Sequence, residues 1–340
     1  MIFRRFAVVC LVLVLVSSAC TLPQTERTQR AVWATGTAQA GSLTQPASLV
    51  DETAPAVSKA TAAASTAEPV ASPLPTKPPA TGEDLLVQIS NAGVLVVSTD
   101  PYYPPQSFLN EDGELDGFDV DVAREVARRL GVELELVTPD WDMITAGDWG
   151  GRWDLSIGSM TPTEERARVL WFTDAYYYTP ASFAIHIDNT TIQTVDDLAG
   201  KTIGVGIATT YEAYLKGELQ IMGGEIAYPP PPDVKIWQYL SDAEAFLDVE
   251  LGDGVRLDAV MSAQPTIKGG IEDNVPLRFL GEPAFYEPLV FALDQARGPS
   301  TEMLSRLNQI IADMHADGTL SALSEEWYGL DVTLLPADLQ

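Results

Sequence analysis

Cysteine is nearly absent from this chain: among 340 residues there are only Cys10 and Cys20. Cys10 lies within an apolar N-terminal run, so neither a disulfide framework nor a cysteine metal site can be built. Histidine is as scarce, and neither His186 nor His315 has a partner at metal-ligand spacing. No metal is expected, and no cofactor. Basic residues are few: 20 Lys and Arg stand against 48 Asp and Glu, a formal net charge of −28. So acidic a chain is repelled by nucleic acid and by anionic lipid, which excludes both as electrostatic partners. Long apolar runs are missing too. The N-terminal run, AVVCLVLVLV at residues 7–16, is too short to span a bilayer comfortably.

That run has two arginines before it, Arg4 and Arg5, and the small residues Ser17, Ser18 and Ala19 after it. Residues 1–19 therefore read as an export signal. Small residues directly before a cysteine resemble a bacterial lipobox, which makes Cys20 the acylated first residue of the mature chain, although Ser17 stands where Leu is commoner. An uncleaved anchor or an ordinary signal peptide is the alternative. Each of these places the rest of the chain outside the cytoplasm. Residues 20–82 are mostly Thr, Ala, Ser, Pro and Gln, with Trp33 the only aromatic residue. Such a segment buries too little to offset its ordering entropy and reads as a disordered tether with a root-mean-square span of about 45 Å. Its acids and bases balance, so the acidic excess lies after residue 82. Membrane attachment would then be covalent, through the lipid.

The remaining length permits two domains. VLVVS (94–98), VELELV (132–137), DLSIG (154–158), FAIHI (183–187), TIGVG (202–206), DAVMS (258–262) and LVFAL (289–293) read as strands. Helical patterns fill several gaps. In GFDVDVAREVARRLG, Asp119 is a candidate N-cap, Val122, Val126 and Leu130 share a face, and Gly131 suits the C-cap. The C-terminal TEMLSRLNQIIADMHADG is an amphipathic helix ending at Gly318, with a second helix after it in LSALSEEWYG. The pattern is alternating α/β. Open α/β sheets bind ligands outside the carboxyl ends of their strands, and GSMTPTEER (158–166) sits at such an end, offering small hydroxyl residues, backbone N–H groups and one arginine to an anion.

Five stretches, in order, resemble the extracytoplasmic solute-binding proteins of polar amino acid ABC transporters: TDPYYPPQSF with GELDGFDVDVAREVARRLG, WDLSIGSMTPTEERARVLWFTDAYY, VDDLAGKTIGVGIATTYEAYL, RLDAVMSAQP, and LNQIIADMHADGTLSALSEEWYG. The resemblance implies a two-lobe Venus-flytrap fold with two crossovers and a small solute in the cleft. The first crossing is expected near Pro180 and the return near Glu287. Lobe 1 then comprises residues 83–180 and 287–340, and lobe 2 residues 181–286.

The same resemblance implies the site. Arg166 matches the arginine that pairs with the solute's α-carboxylate, a role its planar fork suits; the alternative is a surface Arg paired with Glu164 or Glu165. Ser159 and Thr161 match ligand-facing positions, and Gly158 lets backbone approach closely. Thr209 and Thr210 open a helix from the other lobe, with N–H groups available to the same carboxylate. Tyr103 and Trp141 match the positions where rings sandwich the solute, and Asp100 matches a contact to its polar end or serves as a turn cap before Pro101. In the family an Asp after the RLDAVM strand receives the α-ammonium; here the residues are Ala263, Gln264 and Pro265. Asp100 or Asp142 then substitutes, or the solute lacks an α-amino group and Gln264 serves it. Gln106, usually Phe, is a second departure, and the role of Tyr211 stays open.

The expected function is a lipid-anchored receptor, a monomer, that delivers a small carboxylate-bearing polar solute to an ABC permease. It is not an enzyme on this reading. The alternatives are a cyclohexadienyl-dehydratase-like enzyme, which needs a cleft carboxyl or His as general acid, and the sensing module of a signalling system.

Overall fold

The structure is a computed structural model and is described for residues 82–334. The export signal, Cys20 and the tether read from the sequence lie outside the described residues, apart from Gly82. Helix α1 (Leu85–Ala92) leads into strand β1 (Val94–Ser98), and a small sheet of β2 (Tyr102–Tyr103), β3 (Ser107–Leu109) and β4 (Leu115–Asp116) comes after it. Helix α2 (Phe118–Leu130), β5 (Glu133–Val137), α3 (Trp141–Thr145) and β6 (Leu155–Met160) come next. The α2 C-cap is Gly131, at φ 76°, a left-handed turn that glycine adopts without steric cost. Its N-cap is Gly117 rather than Asp119. Asp119 lies inside the first turn, fully buried, because its side chain is held by Ser159 and Tyr176.

The next strand, β7 (Leu170–His186), is far longer than the FAIHI segment the apolar pattern marks. After it come β8 (Thr202–Gly206), α4 (Thr210–Leu215), β9 (Lys235–Tyr239), α5 (Asp242–Glu250), β10 (Ala259–Ala263) and α6 (Gln264–Glu272). A second long strand, β11 (Leu277–Asp294), returns, and α7 (Thr301–Ala316) and α8 (Thr319–Tyr328) close the order. The main sheet runs β5-β1-β6-β11-β7-β10-β8-β9. Strand β1 is parallel to β5 and β6, β8 is parallel to β9 and β10, and β7 and β11 run antiparallel through the middle.

Two separate sets of apolar residues hold the two ends of that sheet. At one end Leu85, Val97, Val126, Tyr176, Phe291, Leu307 and Ile310 join α1, α2, α7 and α8 to the sheet, while Trp149, Trp153 and Met160 fill its other face. At the other end Phe183, Tyr214, Leu280 and Phe285 form one cluster and Phe246, Val260, Ile267 and Leu277 another. Burying a large apolar side chain contributes about 1.5 to 3 kcal/mol, so each end has a core of its own. Along β7 the core membership changes between Tyr177 and Ala181, and along β11 between Phe285 and Leu289. The chain is thus an α/β protein of two lobes joined by two strand crossings, and those crossings are paired with one another: Tyr286 lies opposite Pro180 and Glu287 opposite Thr179.

Candidate functional site

A cavity lies where the two lobes meet beside the paired crossings, enclosing about 520 Å³ including its mouth. Nine of the residues singled out from the sequence line it: Asp100, Tyr103, Trp141, Gly158, Ser159, Thr161 and Arg166 from one lobe, Thr209 and Thr210 from the other. The strand ends explain this convergence. Strands β1 and β6 of the first lobe and β8 of the second all end at the cleft, so the turns after them face one another.

Arg166 starts a short 3₁₀ turn, Arg166–Arg168, and is only 7 % exposed. It does not pair with Glu164 or Glu165. One guanidinium nitrogen donates to the Thr161 carbonyl at 2.9 Å, the other crosses the cleft to the Ala208 carbonyl at 2.8 Å, and the group stacks 5.5 Å from the Trp141 ring centroid. Trp141 donates its own Nε1–H to the same Ala208 carbonyl at 3.3 Å. Burial lowers the Arg166 pKa to about 10, which leaves it protonated at neutral pH. Two residues beside the cavity adopt the left-handed region without being glycine: Ser159 and Ala208, both at φ 57°. Such backbone persists only where surrounding contacts hold it. Ala208 is held by its two carbonyl donors and by Glu212, which accepts its N–H at 2.7 Å.

The hydroxyls are already engaged. Ser159 Oγ donates to Asp119 Oδ2 at 2.6 Å and lies 2.5 Å from the Tyr177 hydroxyl, while the Ser159 N–H donates to the Tyr176 hydroxyl at 3.2 Å. Tyr176 in turn donates to Asp119 at 2.6 Å. Desolvation pushes the buried Asp119 carboxyl up to about 7. Thr209 caps α4, accepting the Glu212 N–H at 3.3 Å, and donates to the Gly206 carbonyl at 2.7 Å. Thr210 and Thr161 both donate to one oxygen of Glu287, Thr161 at 2.7 Å, and Tyr211 donates to the other at 3.0 Å. A Cβ at Gly158 would meet Thr99 and Asp100, the two residues after β1, at ordinary contact distances.

Gln264 is placed elsewhere. It is the first residue of α6, its amide donates to Ser182 at 3.0 Å, and it borders a different cleft with Pro265, Lys268 and Tyr328. Asp142, weighed as a stand-in anion, also stays outside the cavity and accepts the Met143 N–H at 2.8 Å. Asp100 does both things the sequence suggested: it lines the cavity and accepts the Tyr102 N–H at 2.8 Å.

Sequence reasoning missed Asp242. It is the first residue of α5, 5 % exposed, and lines the cavity from the second lobe. Ser262, next to Ala263, donates to its Oδ2 at 2.5 Å, and Gly206 leaves the space its Oδ1 occupies. Ser241 caps α5 and Asp242 sits in its first turn, a common place for an acid, so no local signal separates it from any other. Burial pushes Asp242 to about 7 and Asp100 to about 6. Gln106 and Tyr211, left without roles, both bridge the lobes: Gln106 donates to Thr266 at 3.2 Å, and the Tyr211 hydroxyl lies 3.1 Å from that of Tyr103. Trp149 and Trp153 pack together in the core, centroids 5.2 Å apart. Among the described residues no three of His, Cys, Asp and Glu are arranged to hold a metal ion.

The fold and cleft define a class, bilobal extracytoplasmic binding proteins, and comparison with known sequences agrees. Residues 95–330 match the family described as bacterial extracellular solute-binding proteins, family 3, and the chain belongs to that family. It is 34 % identical over 256 residues to the L-cystine-binding protein TcyJ of Escherichia coli, covering 74 % of this chain and 88 % of that one. To the histidine-binding periplasmic protein of Escherichia coli it is 27 % identical over 241 residues, covering 69 % and 88 %. Among solved structures, an ancestral arginine-binding protein bound to arginine superposes with a TM-score of 0.61 at 30 % identity, covering 70 % of this chain and 99 % of that one. An ancestral amino acid-binding protein, a precursor of cyclohexadienyl dehydratase, gives 0.61 at 31 %, covering 72 % and 99 %.

Proposed function

We propose that this protein is the solute receptor of an ABC importer, that it binds an amino acid or a close derivative between its lobes, and that it passes the solute to a membrane permease. The observation that carries this reading is Arg166, a buried guanidinium at the lobe junction whose hydrogen bonds go to backbone carbonyls, so that its remaining N–H groups are available to a carboxylate. Ser159, Thr161 and Gly158 on the same lobe and Thr209 and Thr210 on the other surround that position. Tyr103 and Trp141 supply apolar faces. Because both lobes contribute, a solute favours the closed form through contacts the open form lacks. Micromolar affinity requires about 8 kcal/mol net, within reach of one charge-assisted pair at about 1.5 to 3 kcal/mol, stacked rings and several N–H donors.

The lobe boundaries are drawn at Pro180 and Glu287, supported by the change of core along the paired strands. The family description supports a location outside the cytoplasm. We place the receptor on the membrane through an acylated Cys20, acting as a monomer. Isothermal titration of the purified chain against amino acids, organic acids and amides tests the reading. Arg166→Ala is expected to abolish binding of the solute that the parent chain takes, and unchanged affinity would overturn the carboxylate assignment.

A second reading has one observation in its favour. The carboxyls of Asp119 and Asp242 are held near 7, a range suited to general acids, and one structural neighbour is a dehydratase precursor. Product formation from a cyclohexadienyl acid would establish an enzyme. We take the chain to be a receptor without turnover.

A further inference from the structure

Resting on the amino-acid reading, we propose that the solute is a cationic amino acid, whose positive charge is bound between Asp100 of one lobe and Asp242 of the other. Three carboxylates, Asp100, Asp242 and Glu287, line the cavity against the single guanidinium of Arg166. Glu287 is already served, since Thr161, Thr210 and Tyr211 donate to its two oxygens. Arg166 serves neither aspartate; its fork is turned to the Thr161 and Ala208 carbonyls. The charged neighbour acting on Asp100 is Asp140, and those acting on Asp242 are Asp100 and Glu287, all of them acidic. The remaining donors to the pair are neutral: the Tyr102 N–H, and Ser262 with the Gly206 N–H.

Two enclosed carboxylates with no cation between them repel each other and oppose closure. A zwitterion adds no net charge and leaves that excess standing. A solute with one carboxylate and two cationic groups supplies an anion for Arg166 and positive charge for both aspartates. The faces of Tyr103, Trp141 and Tyr211 line the same space and attract a cation as well. Since Asp100 and Asp242 come from opposite lobes, the cation bridges a pair that the open cleft separates, and so it acts as the trigger of closure.

The test is isothermal titration of the ligand-stripped full-length chain with L-arginine, its uncharged isostere L-citrulline, and L-glutamate. The expected result is arginine bound at least about tenfold more tightly than citrulline, with glutamate weakest. Asp100→Asn and Asp242→Asn are each expected to weaken arginine by about tenfold, and the double variant to show no preference between arginine and citrulline. Equal or tighter binding of citrulline by the parent chain, or a preference that survives in the folded double variant, would overturn the cationic assignment and leave the amino-acid reading intact. Failure to bind any amino acid of any charge would overturn both.

Discussion

Glu287 accepts the hydroxyl hydrogen of Thr161 at 2.7 Å, across 126 positions of sequence, and it does so on the strand that carries the chain back between the lobes. The same oxygen takes Thr210 from the second lobe, and the other takes Tyr211. One buried carboxylate, 2 % exposed, therefore gathers donors from both lobes at the waist.

Replacing Glu287 by Ala leaves three buried hydroxyls without their acceptor, and about 2 to 4 kcal/mol of unfolding free energy is expected to be lost. Glu287→Gln keeps an acceptor for the two threonines and loses less. Equilibrium urea unfolding compares them, and equal losses in the two variants would show that these hydrogen bonds contribute little.

Arg166→Lys keeps the charge but not the fork. An ammonium cannot reach the Thr161 and Ala208 carbonyls and also present a paired face to a carboxylate. Solute affinity is expected to fall by about 10- to 100-fold with the melting temperature little changed. Calorimetric titration against any solute the parent chain binds decides it; retention of full affinity would mean that charge alone suffices.

Stability of the unliganded protein is expected to fall as pH rises from about 4 to about 7. Asp100, Asp119 and Asp242 have folded pKa values of about 6, 7 and 7, above the ordinary aspartate value of 3.8. In that window the folded state holds more protons than the unfolded state, so raising the pH favours unfolding. Their contribution is complete below about 4 and lost on passing 6 to 7. Exposed acids act oppositely but lower down: Asp317, held near 2 by Thr319 and Arg129, adds stability that disappears only under stronger acid. Melting temperatures at about pH 5, 6, 7 and 8 test the sign, and a rise across this range would contradict it.

Gln106 of the first lobe donates to Thr266 of the second, a buried hydrogen bond between the lobes that opening of the cleft is expected to break. Gln106→Leu removes an amide partner of the buried Thr266 hydroxyl in the closed form, leaving it only Tyr103, while the open form can hydrate it. Solute dissociation is expected to accelerate by about 3- to 10-fold. Stopped-flow displacement measures this, and an unchanged rate would remove the pair from the closure equilibrium.

Much of the fold was legible because it is local. VLVVS and TIGVG are strands over the residues their apolar runs mark, Gly131 ends α2 where a left-handed turn is needed, and Thr209 caps the helix it precedes. The long strands were not legible. Pro180 and Pro288 interrupt their apolar pattern, and FAIHI and LVFAL read as short strands; only pairing of β7 with β11, with register shifts near both breaks, extends them through the waist.

The sequence by itself determined the alternating α/β class and the polar strand-end turn of GSMTPTEER, since hydrophobic periodicity and turn chemistry act over a few residues; the two lobes and the places of Arg166, Thr161, Tyr103 and Trp141 in the cleft were legible only through resemblance to a family. Tertiary structure alone decided the electrostatics. Asp242 looks like a helix-opening acid until folding buries it opposite Asp100, and Glu287 looks like a polar break in a strand until Thr161 and Thr210 close on it. A carboxylate's environment is set by what surrounds it in space, and here the surrounding groups come from positions scores of residues away.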